Sequence, residues 1–434
     1  MTSPRALRRS RAALWLAALT ACADASSRPG TPVFAADDPP GAAAGASTPS
    51  LSAAPDGTLW MSWMERDADS TWTVRVARRP VDGAWSAPRV IVRDSLLVAN
   101  WADFPAVVAG DSGRLALHYL RRSSPGKYSY HLWVVATADG GASWRAPQRL
   151  HVDTSATEHG FATLVPMGDG TVAAAWLDGR ATGAAAGAMT VAFGGLDRAG
   201  RVRADTVLDA RTCDCCQVAG ARVSGGVLFA YRDRTDDEVR DIAVVRYVDG
   251  GWRRPAIVHD DGWVTRACPV NGPALAARDS GVAIAWFTNA ANTPKAQVAF
   301  SDDRGATWGA PVRVDDGHPL GRVDVEYLGD GTALVTWLEQ TRAGSAEVRA
   351  RRVQRDGSRS AAVTLGATSD ARQAGFPRNA ATTDSTVAVA WREVGNSSRL
   401  RLGRISAGRG ADAGGRLSIF GVEFPFPGRS AGGR

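Results

Sequence analysis

The segment TVAAAW at residues 171–176 alternates small apolar positions and ends on Trp176, and six similar segments recur along the chain. Their terminal residues are all aromatic and lie 51 to 57 residues apart: Trp63, Tyr119, Trp176, Tyr231, Trp286, Trp337 and Trp391. Alternation with a period of two between turn residues predicts β-strands. A fixed repeat of this length indicates a unit that buries its apolar face only by stacking against copies of itself.

Each repeat has room for four strands. In the fifth these are PALAARD, VAIAWF, QVAFSD and APVRV. Four-stranded units that close into a ring leave only short, protected edges. We therefore predict an all-β fold, a seven-bladed β-propeller of four-stranded blades over residues 48–407. The seventh repeat lacks an obvious fourth strand, which residues 31–36 or the tail segment LSIFGVEF (417–424) should supply.

Two repeats share the pattern S/T-x-D-x-G-x-x-W, at 137–144 (TADGGASW) and 301–308 (SDDRGATW), with shorter versions at 82–85 and 249–252. The pattern resembles the Asp-box, or bacterial neuraminidase repeat, of the sialidase superfamily. The resemblance covers residues 48–407 as a fold, and it implies a structural turn away from the functional face. It also leaves a six-bladed sialidase-type ring as the alternative architecture. As an activity, it implies an exo-α-sialidase-like glycoside hydrolase or a glycan binder.

The two ends of the chain differ from the repeats, and the N-terminal end is predicted to be a targeting signal. Residues 1–22 combine four arginines with a short apolar run and the ending Leu19-Thr20-Ala21-Cys22. This arrangement is typical of a secretory signal and resembles a bacterial lipobox, which implies lipidation of Cys22. An ordinary cleaved signal with an incidental cysteine is the alternative. Residues 23–47 are predicted to be a flexible tether, and 408–434 a Gly/Arg-rich tail. We expect a monomer held at the bacterial cell envelope, periplasmic or outer surface, through a lipid anchor only.

The net charge of +7 includes the four arginines of the signal, and no basic run interrupts the repeats. This distribution makes nucleic acid an unexpected partner. In the architecture that the resemblance implies, blade-to-blade connections and the loops after each second strand share one face. We call it the connection face, and we place the candidate site there.

Carboxylates two positions past the aromatic residue, interleaved with arginines, suit a polar ligand with many hydroxyl groups. Strand-end salt bridging is the alternative for each single acid. Our catalytic candidates are Asp178, Asp233, Glu158 and His159, and our ligand-binding candidates are Arg180, Arg234, Arg322, Asp324, Arg378, Asn271 and Asp103. His159 is either a proton shuttle or an ordinary hydrogen-bonding residue. We expect Asp178, Arg180, Asp233, Arg234, Arg322 and Asp324 to line a polar central pocket.

The largest departure from the repeat is Cys213-x-Cys215-Cys216, with Cys268 in the next equivalent connection. Equivalent connections on adjacent blades lie side by side, so the four sulfurs should form one cluster. Disulfides are the default in an oxidising envelope. A thiolate site for Zn or Cu(I), joined by His159 or His259, and redox-active thiols are the alternatives. The sequence therefore supports two functions: an envelope-anchored, sialidase-like propeller acting on or binding glycans, or a non-catalytic propeller with a Cys-rich metal-binding or interaction site.

Overall fold

The described part of the chain is built almost entirely of strands. A computed structural model describes residues 28–184, 187–395 and 397–408. The short 3₁₀ helices within these ranges are Asp111–Gly113, Ala290–Asn292 and Arg372–Ala374. No helix among the described residues has the length and apolarity needed to cross a bilayer. The predicted signal segment, Cys22 with its lipidation, the start of the tether and the tail strand LSIFGVEF all lie outside the described residues.

The strands form seven antiparallel sheets arranged as blades, which confirms the predicted seven-bladed β-propeller. Strand order within each blade follows the chain, from the inner strand outward. Blade 1 contains Ser47–Ala53, Leu59–Arg66, Trp72–Arg79 and Arg89–Asp94; blade 2 contains Ala106–Ala109, Leu115–Arg122, Tyr130–Thr137 and Gln148–Arg149; blade 3 contains His159–Pro166, Val172–Asp178, Thr190–Leu196 and Val202–Asp209.

The remaining blades follow the same order. Blade 4 contains Ala219–Val223, Gly226–Arg232 and Ile242–Val248, with Gly251–Trp252 and Ala256–Ile257 both paired to its third strand. Blade 5 contains Ala274–Arg278, Gly281–Thr288, Lys295–Ser301 and Val312–Arg313; blade 6 contains Pro319–Tyr327, Ala333–Arg342, Ser345–Val353 and Val363–Thr368; blade 7 contains Arg378–Ala381, Thr386–Glu393 and Arg399–Ser406.

The ring is closed by the beginning of the described chain. Val33–Asp37, inside the segment expected to be a tether, pairs antiparallel with Arg399–Ser406 and becomes the outer strand of blade 7. Of the two segments predicted to close the ring, the N-terminal one does so. A strand from one terminus thereby covers the edge left by the other.

The aromatic column stands where the repeat predicts it, on the second strand of every blade. Its seven members are at most 4% exposed and pack between neighbouring blades. Trp176, for example, lies in one cluster with Leu132 and Val134 of blade 2. Large rings at the blade interfaces contribute much of the buried apolar area, which is the dominant stabilising term in such a fold.

Side chains of one blade also satisfy the exposed edge of the next inner strand. Backbone N–H groups of the following blade donate to Gln217 (3.1 Å), Asn271 (2.6 Å) and Asp324 (2.8 Å). An unpaired buried N–H is costly, so these acceptors hold the blades in register. Two predicted ligand-binding residues, Asn271 and Asp324, therefore have partners within the ring.

On the connection face, the axis of the ring is filled by apolar side chains. One buried cluster contains Ala102, Phe161, Val218 and Phe376. These residues come from blades 2, 3, 4 and 7, and such blades meet only at the centre of the ring. Phe161 lies at an irregularity in its inner strand with a left-handed φ of 52°. Such bulges re-aim side chains, and this one directs Phe161 to the axis. This apolar cluster lies on the face where a polar central pocket was expected.

The large central cavity opens at the opposite face, where the first and second strands of each blade are joined. It has a volume of about 1150 Å³ and is lined by residues of all seven blades. Glu326 and Tyr327 of blade 6 lie in its wall. Burial, with the charge of Asp324 adding to it, raises the pKa of Glu326 to about 8.

Candidate functional site

The acids that follow the aromatic column mostly serve the column itself. The indole Nε1–H of Trp63 donates to Glu65 at 2.7 Å, and that of Trp176 donates to Asp178 at 2.9 Å. Trp337 and Glu339 form the same pair at 2.6 Å. A buried indole N–H needs an acceptor, and an acid two residues further along the strand supplies it. For these three acids the geometry favours the structural alternative.

Asp178 and Arg180 form a closed ion-pair network in blade 3. Asp178 is fully buried and lies 2.6 Å from Arg180, whose guanidinium also reaches Asp205 at 2.9 Å. These bonds, working against burial, lower the pKa of Asp178 to about 2. A carboxylate held this firmly in its ionised form is a poor general acid.

Asp233 and Arg234 lie at the end of the second strand of blade 4. Burial raises the pKa of Asp233, and the charges of Asp209 and Asp241 raise it further. Arg234 binds Glu238 with both Nε (3.1 Å) and a terminal nitrogen (2.7 Å). The structure places these two residues beside the cysteine connection rather than in a central pocket.

The remaining ligand-binding candidates also have partners within the ring. Arg322 is buried, donates to the Ala371 carbonyl at 2.9 Å and lies 5.0 Å from the ring of Trp101. Arg378 lies 3.5 Å from Asp324. The group described so far therefore builds the connection face rather than lining an open site.

Four cysteines converge on this face as predicted, at the connections that enter and leave blade 4. The Sγ atom of Cys213 lies 3.8 Å from that of Cys215 and 3.5 Å from that of Cys216. Ligand atoms of Cys215 and Cys268 lie within 4.8 Å of each other and of Asp214. All four thiols are free in the structure. Cys213 and Cys216 are buried, whereas Cys268 is exposed.

A buried arginine faces the sulfurs. Arg240 is 2% exposed, and its terminal nitrogen lies 3.2 Å from Cys213 Sγ. The neighbouring thiols of Cys215 and Cys216, together with nearby guanidinium groups, hold the pKa of Cys213 well below its usual range. The thiolate is therefore favoured at Cys213, whereas hydrogen bonding among the thiols raises the pKa of Cys215 and burial raises that of Cys216. His259, suggested as a further ligand, lies 3.0 Å from Asp261 instead.

Glu158 forms a second polar group on the same face. It accepts a short hydrogen bond from the Tyr130 hydroxyl, and burial raises its pKa to about 7 with a contribution from the charge of Asp214. The Asp103 carboxylate is buried beside Gly160, where a side chain would overlap it. Burial raises the pKa of Asp103 well above its usual range.

His159 lies in a cluster of three histidines between blades 2 and 3. His131 is on the third strand of blade 2, His151 follows its outer strand, and His159 begins the inner strand of blade 3. Ring centroids of His151 and His159 are 3.8 Å apart, and those of His131 and His151 are 5.0 Å apart. Burial and the neighbouring imidazoles lower the pKa of His151 to about 3. His159 therefore has partners that the sequence analysis did not identify.

An aromatic cleft of about 230 Å³ lies on the connection face between blades 7, 1 and 2. Its lining includes Trp72, Trp101, Phe104 and Phe376, with Arg392 among the polar groups. The Arg392 side chain donates to the Gln373 carbonyl at 3.2 Å, while its buried Nε lacks a hydrogen-bond partner. The cleft can accept a flat or ring-shaped ligand that offers an acceptor to this nitrogen.

Four residues of these groups were not among the predicted site residues: His131, His151, Tyr130 and Arg240. The three histidines are half of the six in the chain, and two of them flank the connection that carries Glu158. That enrichment was a usable signal. No sequence signal pointed to Arg240, because it is one of many arginines and only the folded structure brings it next to Cys213.

No protein-family model matches the chain, and a search of curated proteins finds no match. Solved structures do align with it. A protein of unknown function from Dyadobacter fermentans is 13% identical, with a TM-score of 0.45 over 88% of this chain and 99% of that one. An α-L-arabinanase from Penicillium chrysogenum is 11% identical, with a TM-score of 0.47 over 87% and 98%. A Hadza microbial sialidase is 12% identical, with a TM-score of 0.44 over 84% and 65%. The fold assignment rests on the blade topology itself.

Proposed function

We propose that this protein is an envelope-anchored propeller that binds a soft metal ion, Zn²⁺ or Cu⁺, at Cys213, Cys215, Cys216 and Cys268. The sulfur spacing of 3.5 and 3.8 Å supports the proposal. Thiolates on a tetrahedral ion with bonds of about 2.3 Å lie about 3.8 Å apart. A disulfide instead requires about 2.05 Å between sulfurs. The distances from Cys213 to Cys215 and Cys216 therefore match those of a metal-ligand set, and Cys268 lies near Cys215.

The surroundings suit a thiolate centre. Soft ions favour sulfur ligands, and Arg240 supplies a positive charge at 3.2 Å that offsets the excess negative charge of several thiolates. Cys268 comes from the connection to blade 5, so an ion held by all four residues would tie the two connections that flank blade 4. Metal binding would therefore stabilise this part of the connection face.

Metal analysis of protein purified without chelators tests the proposal. We expect at least one ion per chain, and Co²⁺ substitution should give the absorption of a tetrahedral thiolate complex. Cys213→Ser and Cys216→Ser should each abolish that absorption, whereas Cys22→Ser, which changes a cysteine outside the cluster, should retain it. Two disulfides in the non-reduced mass spectrum, or four free thiols that bind neither ion, would contradict the proposal.

The envelope location rests on the basic start, the short apolar run and the lipobox-like ending at Cys22. Lipidation at Cys22 would place the ring outside the cytoplasm with the tether as a spacer. Membrane partition of the full chain and the mass of its N-terminal peptide test this. Wild type should partition with membranes and carry a lipid mass, and Cys22→Ser should do neither. An unmodified N-terminal peptide in wild type would refute lipidation.

A glycan ligand is the second candidate, and the aromatic cleft favours it. Aromatic side chains offer stacking surfaces to sugar rings. Arg392 offers a buried Nε with no partner, and arginine binds carboxylates well. An acidic sugar such as a sialoside would satisfy this nitrogen. Hydrolysis of the exo-α-sialidase type would in addition require a carboxyl group that acts on the bound glycan.

A panel of sialosides and neutral glycosides, screened for binding and for hydrolysis, tests the glycan candidate. Arg392→Gln should weaken binding of acidic members at least tenfold. Arg198→Gln, at an exposed arginine of blade 3 that does not line the cleft, should leave it unchanged. Binding without hydrolysis would make the protein a lectin-like binder. Equal affinities in the two variants would remove the cleft as the site.

A further inference from the structure

We infer that His131, His151 and His159, together with the Asp153 carboxylate, form a second metal site that takes a divalent ion of the Zn²⁺ or Cu²⁺ class. The site lies between blades 2 and 3 on the connection face and uses nitrogen and oxygen ligands. It is separate from the cysteine cluster and does not depend on that cluster binding metal.

Folding brings the ligand atoms to coordination range. One ring nitrogen of each of the three histidines lies within 4.8 Å of the others. The histidines belong to different strands and connections, so no local turn explains their convergence. His151 and His159 are at most 2% exposed, and His131 is 9% exposed. Ligands at about 2.1 Å from one ion span at most roughly 4.2 Å, so small side-chain movements suffice to close the set.

The tautomer of His159 leaves a lone pair facing the cluster. Its Nδ1 lies 3.3 Å from the Thr157 carbonyl, an acceptor that places the proton on Nδ1. A backbone carbonyl in this position orients a metal-binding imidazole. In the neutral imidazole Nε2 then carries the lone pair, and it has no hydrogen-bond partner although it is buried.

Two carboxylates face that same nitrogen. His159 Nε2 lies 3.0 Å from Asp153 Oδ2 and 3.5 Å from Asp178 Oδ1, outside hydrogen-bonding geometry. A lone pair close to two negative oxygens is unfavourable unless a proton or a metal ion lies between them. Two atoms each about 2.1 Å from an ion and cis to one another are about 3.0 to 3.4 Å apart. The His159–Asp153 distance matches that separation.

The other two histidines point to the same ion. Nδ1 of His131 and Nδ1 of His151 are buried and also lack partners. Binding through Nδ1 of His151 moves its proton to Nε2 and gives up the weak 3.3 Å contact with the Leu132 N–H. Imidazole nitrogens with one carboxylate suit Zn²⁺ and Cu²⁺, whereas thiolates suit Cu⁺. The two clusters therefore differ in the copper ion that they favour, Cu²⁺ at the histidines and Cu⁺ at the cysteines, while both accept Zn²⁺.

Titration of the full chain with Cu²⁺, followed by electron paramagnetic resonance, and with Zn²⁺, followed by calorimetry, tests the inference. We expect a Cu²⁺ spectrum with nitrogen hyperfine structure. His159→Gln should weaken binding by roughly 100-fold or more, because it removes a ligand outright. His131→Gln, at the more exposed edge, should weaken binding in the same direction, which keeps the test valid if His159→Gln does not fold.

The matched control is His259→Gln, because this histidine also lies beside an aspartate but outside the cluster. It should bind both ions like wild type, and Cys213→Ser should retain the nitrogen-ligated Cu²⁺ signal. Conversely, His131→Gln should retain the thiolate absorption of the cysteine cluster. A wild-type Cu²⁺ spectrum without nitrogen ligands, or equal affinities for His131→Gln and His259→Gln, would overturn the inference while leaving the cysteine proposal untouched.

Discussion

Replacement of Phe34 by alanine tests how the ring is closed. Phe34 lies on the closing strand, half-buried, with its ring centroid 6.2 Å from that of Trp391. Truncating a fully buried phenylalanine costs about 3–5 kcal/mol, so a half-buried one should cost about 2 kcal/mol. For a ring of this size the unfolding entropy is roughly 0.8 kcal/mol/K, which converts the loss to a Tm decrease of about 2–3 °C.

Urea unfolding followed by tryptophan fluorescence measures the effect, with Val33→Ala as the matched control. Val33 is on the same strand but 62% exposed, so its truncation should change the free energy of unfolding by less than about 0.5 kcal/mol. Gly403 sharpens the test because a Cβ added there would overlap the Phe34 ring. Gly403→Ala should therefore lower the free energy of unfolding by less in a Phe34→Ala background than in wild type.

Equal stability of Phe34→Ala and Val33→Ala would contradict this account of ring closure. Equal destabilisation by Gly403→Ala in both backgrounds would also contradict it, because the Phe34 ring would then not lie against Gly403. Either result would mean that the edge of blade 7 is covered by another segment.

Three further outcomes follow from the described contacts. Asp303→Ala should lower the free energy of unfolding by about 1–2 kcal/mol at neutral pH, since Asp303 accepts hydrogen bonds from the Thr307 N–H and hydroxyl. The pKa of Asp303 is lowered to about 2, so the difference between variant and wild type in unfolding curves should shrink as pH falls from about 4 towards 2. Glu326 has a raised pKa of about 8, so wild-type stability should fall as pH rises from about 4.5 to 8, and Glu326→Gln should flatten that part of a Tm-against-pH profile. Asn271→Ala should lower the free energy of unfolding in urea by about 1–3 kcal/mol by leaving an inner-strand N–H unpaired, whereas Asn289→Ala, whose side chain makes no capping hydrogen bond, should change it by less than about 0.5 kcal/mol.

The sequence alone determined the blades, because each blade is a local object. Alternation, the terminal aromatic residue and the turn residues recur within about 55 residues, so Trp63 and Trp391 report the same local structure. Ring closure followed from the missing fourth strand of the last repeat. The cysteine cluster was also predictable, since Cys216 and Asn271 occupy the same place in adjacent repeats and equivalent connections lie side by side.

Only the tertiary structure decided how the connection face is used. Three of the carboxylates that suggested a ligand site, Glu65, Asp178 and Glu339, instead accept indole N–H groups, because an acid two residues past a tryptophan lies on the same side of the strand. The axis is filled by Phe161 and Phe376 through an irregularity in an inner strand that no repeat pattern records. His131, His151 and His159 meet across a blade interface, where the lengths of two irregular connections fix the distance between side chains. Local sequence patterns encode the blades, whereas contacts between blades depend on the connections. The candidate sites lie at these connections.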